Sequence, residues 1–484
     1  MNLKNKRETE DLIKEKHLYK KIFFYRICGT GMGAAACLLR EAGFDVSGAD
    51  QAFFPPMSTY LESTGIQCYK LDQATPEFLK QFDLIVIGNS VSGKSDNARM
   101  LEECGVPFTS FPSAIGAFVL RPMNVVGIAG THGKTTTTYL MTQVFENLGK
   151  KPGYLIGGIM DDRAPARLGD GSYFFIEADE YDSCYFQKIS KFRLYELKNM
   201  VLTSLEFDHA DIFTSLEKIE DEFRAAIPMV TRNFVFCEDY PSALKIYNEF
   251  KDKTVHNKWA FYGQKSKHGP FDIKNTSKGC SFKLSVHGKD EVFETNLLGI
   301  QNVLNLTSVI MFALQEGFSL SEIKKSILDL KMVKRRQEVR GHYKGAVVID
   351  DFAHHPRAVE LTIESIKMRF PDKEVVVVFE PISATARSSI FQEEFTQSLY
   401  AVKAAILAKA SIATTAMGQK DLDCDLIVSE LKKRKNIPGQ VCTDLVSLRK
   451  AIDLYVDSKT VLMVLSNRTC LGLWESSFVD ELKK

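Results

Sequence analysis

Apolar and polar positions repeat the same arrangement three times along the chain. Each time, a short run of β-branched or aromatic residues is followed by a turn rich in glycine or aspartate and then by apolar residues at helical spacing. The three stretches are KIFFYRICGTGMGAAACLLREAGFDVSGAD, MNVVGIAGTHGKTTTTYLMTQVFENLG and AVVIDDFAHHPRAVELTIESIKMRFPDKEVVVVFEP. A strand, a helix and a second strand form the unit of mostly parallel sheets. The pattern therefore predicts an α/β protein built around three such units.

The positions of these units predict three domains. A chain of 484 residues exceeds the roughly 250 to 300 residues at which a single core stops growing. The units are separated by the segment LRPMNVV, around Arg121 and Pro122, and by the charged segment KMVKRRQEVRGHYKG, between Lys331 and Gly345. We predict α/β domains at 1–121, 122–333 and 334–484.

Composition and charge narrow the function classes. The 62 basic and 61 acidic residues nearly cancel, which removes the general electrostatic attraction for nucleic acid or an anionic membrane. The longest apolar runs, such as VVVVF at 375–379, are far shorter than the about 20 residues that span a bilayer. The first 21 residues have mixed charge and lack the apolar segment of a secretion signal. The ten cysteines form no CxxC pair, so we expect reduced thiols, a cytoplasmic location, no nucleic acid and no membrane insertion.

The second turn, GIAGTHGKTTTT from Gly127 to Thr138, predicts a phosphate-binding loop. It lies between a strand and a helix, where backbone N–H groups and the helix N-terminus favour phosphate oxygens. Its spacing differs from the common signature, which would place a glycine at Ile128. The alternative is a glycine-rich turn with a capping threonine. We favour an ATP site in which a lysine adds charge and a threonine hydroxyl binds Mg²⁺, formed by Gly130, Thr131, His132, Gly133, Lys134, Thr135 and Thr136.

Two acidic strand ends supply candidate magnesium ligands. The run YFFIEADEYD places Glu177 at the end of a predicted strand, and NMVLTSLEFDHADIF places Glu206, Asp208 and His209 after another. Mg²⁺ takes oxygen ligands beyond a single hydroxyl, and the carboxyl ends of parallel strands meet at one edge of a sheet. Taken singly, each acid could equally be a solvated loop charge. Two acidic strand ends in the domain of the phosphate loop favour a metal site there.

The first turn, GTGMGA, matches a dinucleotide-binding fingerprint. Gly29, Gly31 and Ala34 have the required spacing, and Asp50 follows about twenty residues later. Alone, this turn indicates an NAD-dependent oxidoreductase, although any pyrophosphate that approaches the backbone closely needs the same glycines. A dehydrogenase and an ATP-dependent ligase therefore both stay open at this point. Only the ligase needs the phosphate loop as well.

Six motifs taken in order resemble those of the Mur ligases, which build peptidoglycan peptides, and the resemblance spans nearly the whole chain. The motifs are GTHGKTTTT, EADEYD, LEFDHAD, GIQNVLN, KRRQEVRG and DDFAHHP. Within the muramate branch of that family, PPMSTYLESTGI, YLIGG and ARLGDGSYFFIEADEYDSCYFQKISKF are most similar to bacterial ligases that recycle wall peptide. The resemblance implies a Rossmann-like UDP-binding domain, a central ATPase-like domain with a mostly parallel sheet, and a Rossmann-like C-terminal domain.

The resemblance also implies a reaction. It predicts a ligase that uses ATP and Mg²⁺ to join the L-alanyl-γ-D-glutamyl-meso-diaminopimelate tripeptide to UDP-N-acetylmuramate. The lactyl carboxylate would become an acyl phosphate, and the peptide amine would replace the phosphate. A ligase that adds L-alanine alone is the alternative, and the oxidoreductase becomes a distant one. Positioning and charge neutralisation would supply most of the catalysis.

Residue by residue, the resemblance assigns roles near ATP. It makes Lys134, Glu177 and His209 catalytic, and it makes Thr135 a metal ligand together with Glu177 and His209. The further ATP contacts that it implies are Asn302 at the adenine, the pair Arg335 and Arg336 at the phosphates, and Asp351 and His354 at the ribose.

The resemblance implies two more sets of contacts, for the two substrates that are joined. The glycine-rich first turn becomes a UDP-sugar site formed by Gly29, Thr30, Gly31, Met32, Gly33, Asp50, Asn89 and Ser90. The peptide side of the third domain is formed by Ser383, Thr385, Arg387 and Asn467. The expected partners are therefore two small molecules, UDP-N-acetylmuramate and the murein tripeptide.

The chain departs from the family pattern at several positions. Gln301 replaces the histidine that usually precedes the adenine-contacting asparagine, Ile382 replaces an arginine after Glu-Pro, and Arg468 replaces a common glycine. There is no clear counterpart of the carbamylated lysine of some Mur ligases, so we do not predict that modification. Adjacent side chains such as those of His354 and His355 point apart, so we do not expect both to chelate one ion. The departures bear on peptide specificity more than on the chemistry.

Overall fold

Three large sheets follow one another along the chain, which confirms the α/β class and the three strand-helix-strand units. A computed structural model describes residues 1–208, 212–254, 258–276, 279–409 and 420–483, without the side chains of 276, 384 and 385. Within those residues, no helix is both long enough and apolar enough to span a bilayer.

The first sheet has five parallel strands. They are β1 (Lys21–Tyr25), β2 (Asp45–Asp50), β3 (Gln67–Lys70), β4 (Leu84–Ile87) and β5 (Phe108–Ser110). The helices around it are α1 (Thr9–Lys14), α2 (Thr30–Glu41), α3 (Met57–Ser63), α4 (Pro76–Leu79), α5 (Asp96–Glu103) and α6 (Phe111–Ile115). In the order β3-β2-β1-β4-β5, the chain adds β2 and β3 on one side of β1 and then reverses to add β4 and β5 on the other side. Strand β1 leads through the glycine-rich turn into α2. Ligands of open α/β sheets bind at such a reversal.

The second sheet carries the phosphate loop at the end of its central strand. Its strands are β6 (Asn124–Ala129), β7 (Gly153–Leu155), β8 (Ala166–Arg167), β9 (Tyr173–Ala178), β12 (Asn199–Leu202), β13 (Asn233–Cys237) and β14 (Lys258–Tyr262), and a hairpin of β10 (Asp182–Cys184) and β11 (Gln187–Ser190) lies between β9 and β12 in the chain. In the order β14-β13-β12-β6-β9-β7-β8, β12 and β9 flank β6. Both acidic strand ends therefore lie beside the phosphate loop.

The central helices and a small second sheet complete this region. The helices are α7 (Lys134–Asn147), α8 (Leu216–Ala226), α9 (Pro241–Phe250), α10 (Ile300–Gln315) and α11 (Leu320–Ser326). Strands β15 (Phe271–Thr276), β16 (Gly279–Val286) and β17 (Lys289–Thr295) form an antiparallel sheet. The pattern of strand-helix-strand units did not predict this sheet.

The third sheet has six strands in the order β18-β19-β23-β20-β21-β22. They are β18 (Glu338–Tyr343), β19 (Ala346–Asp351), β20 (Glu374–Phe379), β21 (Ala404–Ala408), β22 (Gly439–Cys442) and β23 (Thr460–Leu465). The helices are α12 (Pro356–Arg369), α13 (Ala384–Arg387), α14 (Gln392–Ser398), α15 (Cys424–Lys435) and α16 (Leu445–Tyr455). Only the edge strand β18 runs antiparallel to its neighbour in this sheet. It lies within the charged segment that the sequence suggested as a separator, so that segment is partly structured.

The apolar cores divide the molecule differently from the sheets. One buried cluster extends from α2 and Phe118 to Phe174 and Met200 under the central sheet, so the first two domains share a core. The third sheet has a cluster of its own on each face, represented by Phe379 and Val464. Because shared apolar burial resists separation, the first two domains form one packed body.

Candidate active site

A cavity of about 500 Å³ lies where the three domains meet. The N-terminus of α2 reaches it from the first domain, the phosphate loop and the ends of β9 and α10 from the central domain, and the turn after β19 from the third. Representative wall residues, one from each region, are Gly31, Lys134, Glu177, Asn302 and His354. The sequence stretches that carry the candidate chemistry therefore converge on one space.

The phosphate loop is packed tightly against the end of β12. Gly130 has φ +128°, and a Cβ there would lie 2.5 Å from the Thr203 hydroxyl oxygen. The His132 N–H donates to Ser204 Oγ at 2.7 Å. Gly133, also left-handed at φ +83°, precedes the first residue of α7. Only glycine fits at Gly130, because both the backbone angle and the neighbouring strand exclude a side chain. Ile128, where the common signature would have a glycine, is buried within β6, so the loop begins only at Gly130.

Lys134 folds back across the loop that precedes it. Its Nζ donates to the Gly130 carbonyl oxygen at 2.6 Å and lies 3.2 Å from Glu180 Oε2. Burial lowers the pKa of Lys134, but the carboxylates of Glu180 and Asp179 outweigh burial and raise it. The ammonium is therefore charged at neutral pH and is held inside the concave side of the loop, where phosphate oxygens would bind.

Glu177 and Thr135 place their side-chain oxygens next to each other beside the loop. The Thr135 hydroxyl donates to Glu177 Oε2 at 3.1 Å, and the Gly157 N–H donates to Glu177 Oε1 at 2.6 Å. Burial raises the pKa of Glu177, so a cation beside it would restore the charged form. Hard oxygen donors next to a phosphate site fit Mg²⁺. The third expected ligand, His209, lies outside the described residues.

The start of α10 supplies amide side chains to the same wall. Asn302 lines the cavity and donates from Nδ2 to the Leu298 carbonyl oxygen at 2.8 Å. Gln301, which replaces the expected histidine, also lines it. Asn305 approaches Gly133 so closely that a Cβ there would lie 2.7 Å from its Oδ1. The sequence did not single out Asn305, because nothing local to GIQNVLN shows which amides turn toward the loop.

The structure separates the two neighbouring arginines of the third domain. Arg336 lines the cavity. Arg335 turns away from it and donates to Asp350 at 3.1 Å and to the carbonyl oxygens of Ser466 and Arg468 at 2.6 and 2.7 Å. Arg335 has φ +57°, and its bonds hold the loop after β23 onto the sheet. The cavity wall therefore includes Arg336 but not Arg335, although the resemblance treated the two arginines as a pair.

Asp351 and His354 lie on the cavity wall after β19. The Asp351 carboxylate accepts from the backbone N–H groups of Gln337 at 2.8 Å and Ala353 at 2.7 Å. Burial lowers the pKa of His354, and its Nδ1 lies 3.0 Å from the Phe352 carbonyl oxygen. The neutral ring then carries a proton on Nδ1, which leaves Nε2 as an acceptor.

The first domain presents backbone more than side chains. Thr30 and Gly31 line the cavity at the start of α2, and Gly29 is its N-cap, with open space where a Cβ would be. Gly33 is close-packed, since a Cβ would lie 2.2 Å from the Met57 sulfur. The helix N-terminus therefore faces the cavity with its N–H groups accessible.

Four further residues that were expected to contact the UDP-sugar are not part of the cavity wall. Met32 is buried against Gly88. Asp50 accepts from the Cys28 N–H at 2.8 Å and so supports the turn. Asn89 and Ser90 follow β4 and are exposed. Among the described residues, the wall of the cavity includes none of these four.

The chain is similar to known proteins along most of its length. Three family models match consecutive parts of the chain: the Mur ligase family catalytic domain at 21–121, the Mur ligase middle domain at 128–313, and the Mur ligase glutamate ligase domain at 335–468. The UDP-N-acetylmuramate–L-alanyl-γ-D-glutamyl-meso-2,6-diaminoheptandioate ligase of Escherichia coli K12 is 34% identical over 78% of this chain and 82% of its own length. The chain belongs to the Mur ligase family. As a Mur ligase it is an ATP-dependent ligase.

One further relative and one solved structure are similar to this Mur ligase. The UDP-N-acetylmuramate–L-alanine ligase of Lactobacillus acidophilus is 30% identical over 92% of this chain and 95% of its own length. The crystal structure of a murein peptide ligase from Psychrobacter arcticus 273-4 superposes with a TM-score of 0.66 at 25% identity, covering 94% of this chain and 97% of that one. The three-domain α/β architecture expected from the motifs is confirmed.

The candidate peptide side of this Mur ligase is organised by a buried carboxylate. Glu380, which is 2% exposed, follows β20 and accepts from the Ser466 hydroxyl and from the N–H groups of Cys470 at 3.1 Å and Leu471 at 2.8 Å. These bonds fix the loop that carries Asn467, whose Oδ1 is buried without a hydrogen-bond partner.

The other residues expected on the peptide side lie on α13 or next to it. Ser383 accepts from the Ala386 N–H at 3.1 Å and so caps the helix. Arg387 has a buried Nε with no hydrogen-bond partner. The side chain of Thr385 is outside the described part of the chain.

Sequence reasoning also missed polar residues on the cavity wall. Lys191 pairs with Asp179 at 2.6 Å, and both line the cavity. Lys191 lies in a short helical turn after the β10–β11 hairpin, so only the tertiary fold brings it here. Asp179 could be found from the sequence, because it belongs to the acidic run YFFIEADEYD that was expected to supply metal ligands.

Proposed function

We propose that this Mur ligase joins the L-alanyl-γ-D-glutamyl-meso-diaminopimelate tripeptide to UDP-N-acetylmuramate, with ATP as the energy source. The single observation that carries the proposal is the shared cavity: the N-terminus of α2, the phosphate loop and Arg336 line one space. A ligase that activates a carboxylate on a UDP-sugar needs both nucleotides to approach each other. The name of the Escherichia coli relative supports the choice of tripeptide.

The residues support a reaction in two steps. The lactyl carboxylate oxygen attacks the γ-phosphorus of ATP, and ADP leaves with the electrons of the broken P–O bond. The peptide amine then attacks the carbonyl carbon of the acyl phosphate, loses a proton and expels inorganic phosphate. Lys134 and the N–H groups of the loop neutralise charge on the transferring phosphoryl group. Arg336 brings a second positive charge from the third domain.

Mg²⁺ is proposed beside the loop on Thr135 and Glu177, with His209 as the ligand of a second ion. When bound, the ion shields the negative charge that the phosphates and the carboxylate would otherwise share. The Glu177 carboxylate is oriented for this by the Gly157 N–H and the Thr135 hydroxyl. Asn302, Asp351 and His354 are proposed to hold the adenosine.

The UDP-sugar is proposed to lie against the backbone of 29–33. The helix dipole and free N–H groups of α2 favour the diphosphate. Asp50 and Met32 then support the turn from behind. The peptide would enter from the third domain. There the loop fixed by Glu380 carries Asn467 and would influence which peptide is accepted.

We also propose domain boundaries at 121/122 and 333/334. The stretches matched by the three family models, 21–121, 128–313 and 335–468, support them. The shared core of the first two domains makes the second boundary the more movable one, so the third domain is expected to close over bound substrates.

One other function has a specific observation in its favour. The L-alanine ligase of Lactobacillus acidophilus aligns with more of the chain than the Escherichia coli enzyme does, although at lower identity. An L-alanine ligase would use the same cavity and the same two steps. The difference would lie in the third domain, at Ile382, Arg468 and their neighbours.

The proposal is tested by phosphate release coupled to product mass. The full chain is incubated with ATP, Mg²⁺, UDP-N-acetylmuramate and the tripeptide, and each component is left out in turn. We expect phosphate release only in the complete mixture, together with a product whose mass equals the two substrates less one water. Phosphate release without any new UDP-linked product would contradict the proposal.

A further inference from the structure

His355 is a buried imidazole on the cavity wall, and the ligase reaction proposed above gives it no role. It is 6% exposed at the N-cap of α12, and neither of its ring nitrogens has a hydrogen-bond partner. Its ring lies between the His132 ring, at a centroid distance of 4.8 Å, and the Phe391 ring, at 5.0 Å. A buried polar group without a partner costs free energy, so a ligand for those nitrogens is expected.

Glu206 completes a group of three donors around this ring. Its Oε2 lies 3.1 Å from His132 Nε2, and one donor atom from each of His132, Glu206 and His355 lies within 4.8 Å of the others. Two of these side chains come from the central domain and one from the third. The group is therefore assembled only when the third domain lies against the phosphate loop.

The backbone on the central side is fixed before any ligand arrives. The Glu206 N–H donates to the Thr131 hydroxyl at 3.0 Å, and that hydroxyl donates back to the Glu206 carbonyl oxygen at 3.2 Å. The Ser204 hydroxyl accepts from the His132 N–H. His132 and Glu206 are thus held as a rigid pair, which lowers the ordering cost of binding.

We propose that His132, Glu206 and His355 bind a transition-metal ion of the Zn²⁺ class, distinct from the magnesium site. Two imidazoles and one carboxylate form the donor set that Zn²⁺ and its neighbours prefer, whereas Mg²⁺ prefers oxygen. Bonds of about 2.0 to 2.1 Å separate tetrahedral ligand atoms by roughly 3.3 Å. The His132–Glu206 pair already has this spacing, and His355 needs to approach by roughly 1 to 1.5 Å.

The charges around the group allow such an ion. Arg357 is the cation nearest in sequence to His355 and acts on Glu206, but its guanidinium forms an ion pair with Glu360 at 2.5 Å. Asp208 adds a negative charge close to His355. Because its ligands come from two domains, the bound ion would fasten the third domain to the phosphate loop. This role goes beyond the proposed ligation and does not depend on it.

Co²⁺ is the probe that tests the site, because its visible absorption reports coordination. The full chain without a polyhistidine tag is titrated with Co²⁺ in excess Mg²⁺ and without nucleotide. We expect one Co²⁺ per chain with visible bands of four or five ligands, and displacement by Zn²⁺. An intense near-ultraviolet thiolate band, or no binding in excess Mg²⁺, overturns the proposal.

Three variants locate the ion. His355→Gln and Glu206→Gln each remove one donor and are expected to weaken Co²⁺ binding about ten-fold or more. His342→Gln removes an exposed imidazole of β18 and is the matched control, with unchanged binding. If His355→Gln fails to fold by circular dichroism, Glu206→Gln decides. Unchanged Co²⁺ affinity in a folded donor variant overturns the assignment.

Discussion

Two glycine-rich turns of this Mur ligase have the same form and different surroundings. Each connects a central strand to the N-terminus of a buried helix, and both helices point into the same cavity. At the first turn, Arg26 lies 3.4 Å from Asp50, which supports the turn from the neighbouring strand. At the second turn, Lys134 is held inside the loop, with Glu177 near the end of β9 and Glu206 in the segment after β12.

The difference matches the chemistry proposed for each nucleotide. A diphosphate that is only held needs N–H donors and space, and the first turn offers both. A phosphoryl group that is transferred needs positive charges that stabilise its transition state. Lys134 in the second turn and Arg336 from the third domain supply positive charge, and Glu177 on β9 is a proposed ligand of Mg²⁺. The two turns share a strand-turn-helix arrangement, and the proposed catalytic role of the second depends on the charged side chains in and around it.

The largest effect is expected from removing the charge that distinguishes the second turn. Lys134→Ala should lower turnover about 1,000-fold, because one preorganised charge is lost from the transition state. Binding of UDP-N-acetylmuramate, measured by calorimetry, should stay unchanged. Lys433→Ala, on the surface of α15, is the matched control and should retain full turnover. A Lys134→Ala enzyme with near-normal turnover would remove the contrast between the turns.

Packing is the next contrast, because Gly130 is enclosed and Gly43 is not. Gly130→Ala combines a left-handed angle with contacts below 3 Å to Thr203 and Ser204 and should cost about 3 kcal/mol or more. Gly43 has φ +94° with open space for a Cβ, so Gly43→Ala should cost about 1 kcal/mol. Thermal unfolding should place Gly130→Ala several degrees below Gly43→Ala, and equal midpoints would disprove the tight packing of the loop.

The arginine pair tests whether the third domain delivers charge to the second turn. Arg335→Ala should lower the free energy of unfolding by about 2 kcal/mol, since it leaves Asp350 and two loop carbonyls without this donor. Arg336→Ala should leave the unfolding midpoint nearly unchanged and raise the KM for ATP or lower kcat. Thermal unfolding and steady-state kinetics of both variants separate the two roles. A reversed pattern would return Arg335 to the nucleotide site.

The smallest effect is expected at the open first turn. Gly29→Ala is sterically free within the protein, because φ is −66° and no atom lies within 4 Å of the new Cβ. The methyl group should instead occupy ligand space and weaken UDP-N-acetylmuramate binding about ten-fold, with ATP affinity and the unfolding midpoint unchanged. Calorimetry with each nucleotide is the check. Weaker ATP binding with unchanged UDP-sugar binding would exchange the assignments of the two turns.

The sequence predicted the parts of this comparison that are local. Apolar runs and glycine-rich turns identified β1 with α2, β6 with α7 and β19 with α12, because strand and helix periods and turn chemistry are encoded within about 15 residues. The acidic runs after β9 and β12 were predicted to meet the phosphate loop. The strand order explains that meeting, since β6 lies between them.

The parts that could not be predicted depend on side-chain direction and distant pairing. Arg335 and Arg336 are adjacent in sequence, and the left-handed backbone at Arg335 sends them to different places. His355 meets His132 and Glu206 across a domain boundary, so no spacing in the chain marks the three as a group. The antiparallel sheet β15–β17 was missed because its strands lie between the predicted units and do not repeat their strand-turn-helix pattern.

In the proposed function, this cavity joins a tripeptide, not a single amino acid, to a UDP-sugar acid. The most direct measurement offers tripeptide and L-alanine together, at equal concentration, to the enzyme with ATP, Mg²⁺ and UDP-N-acetylmuramate, and weighs the UDP-linked products. We predict that the tripeptide product dominates. A product carrying L-alanine alone as the main species would contradict the account and make this chain a ligase of the first amino acid.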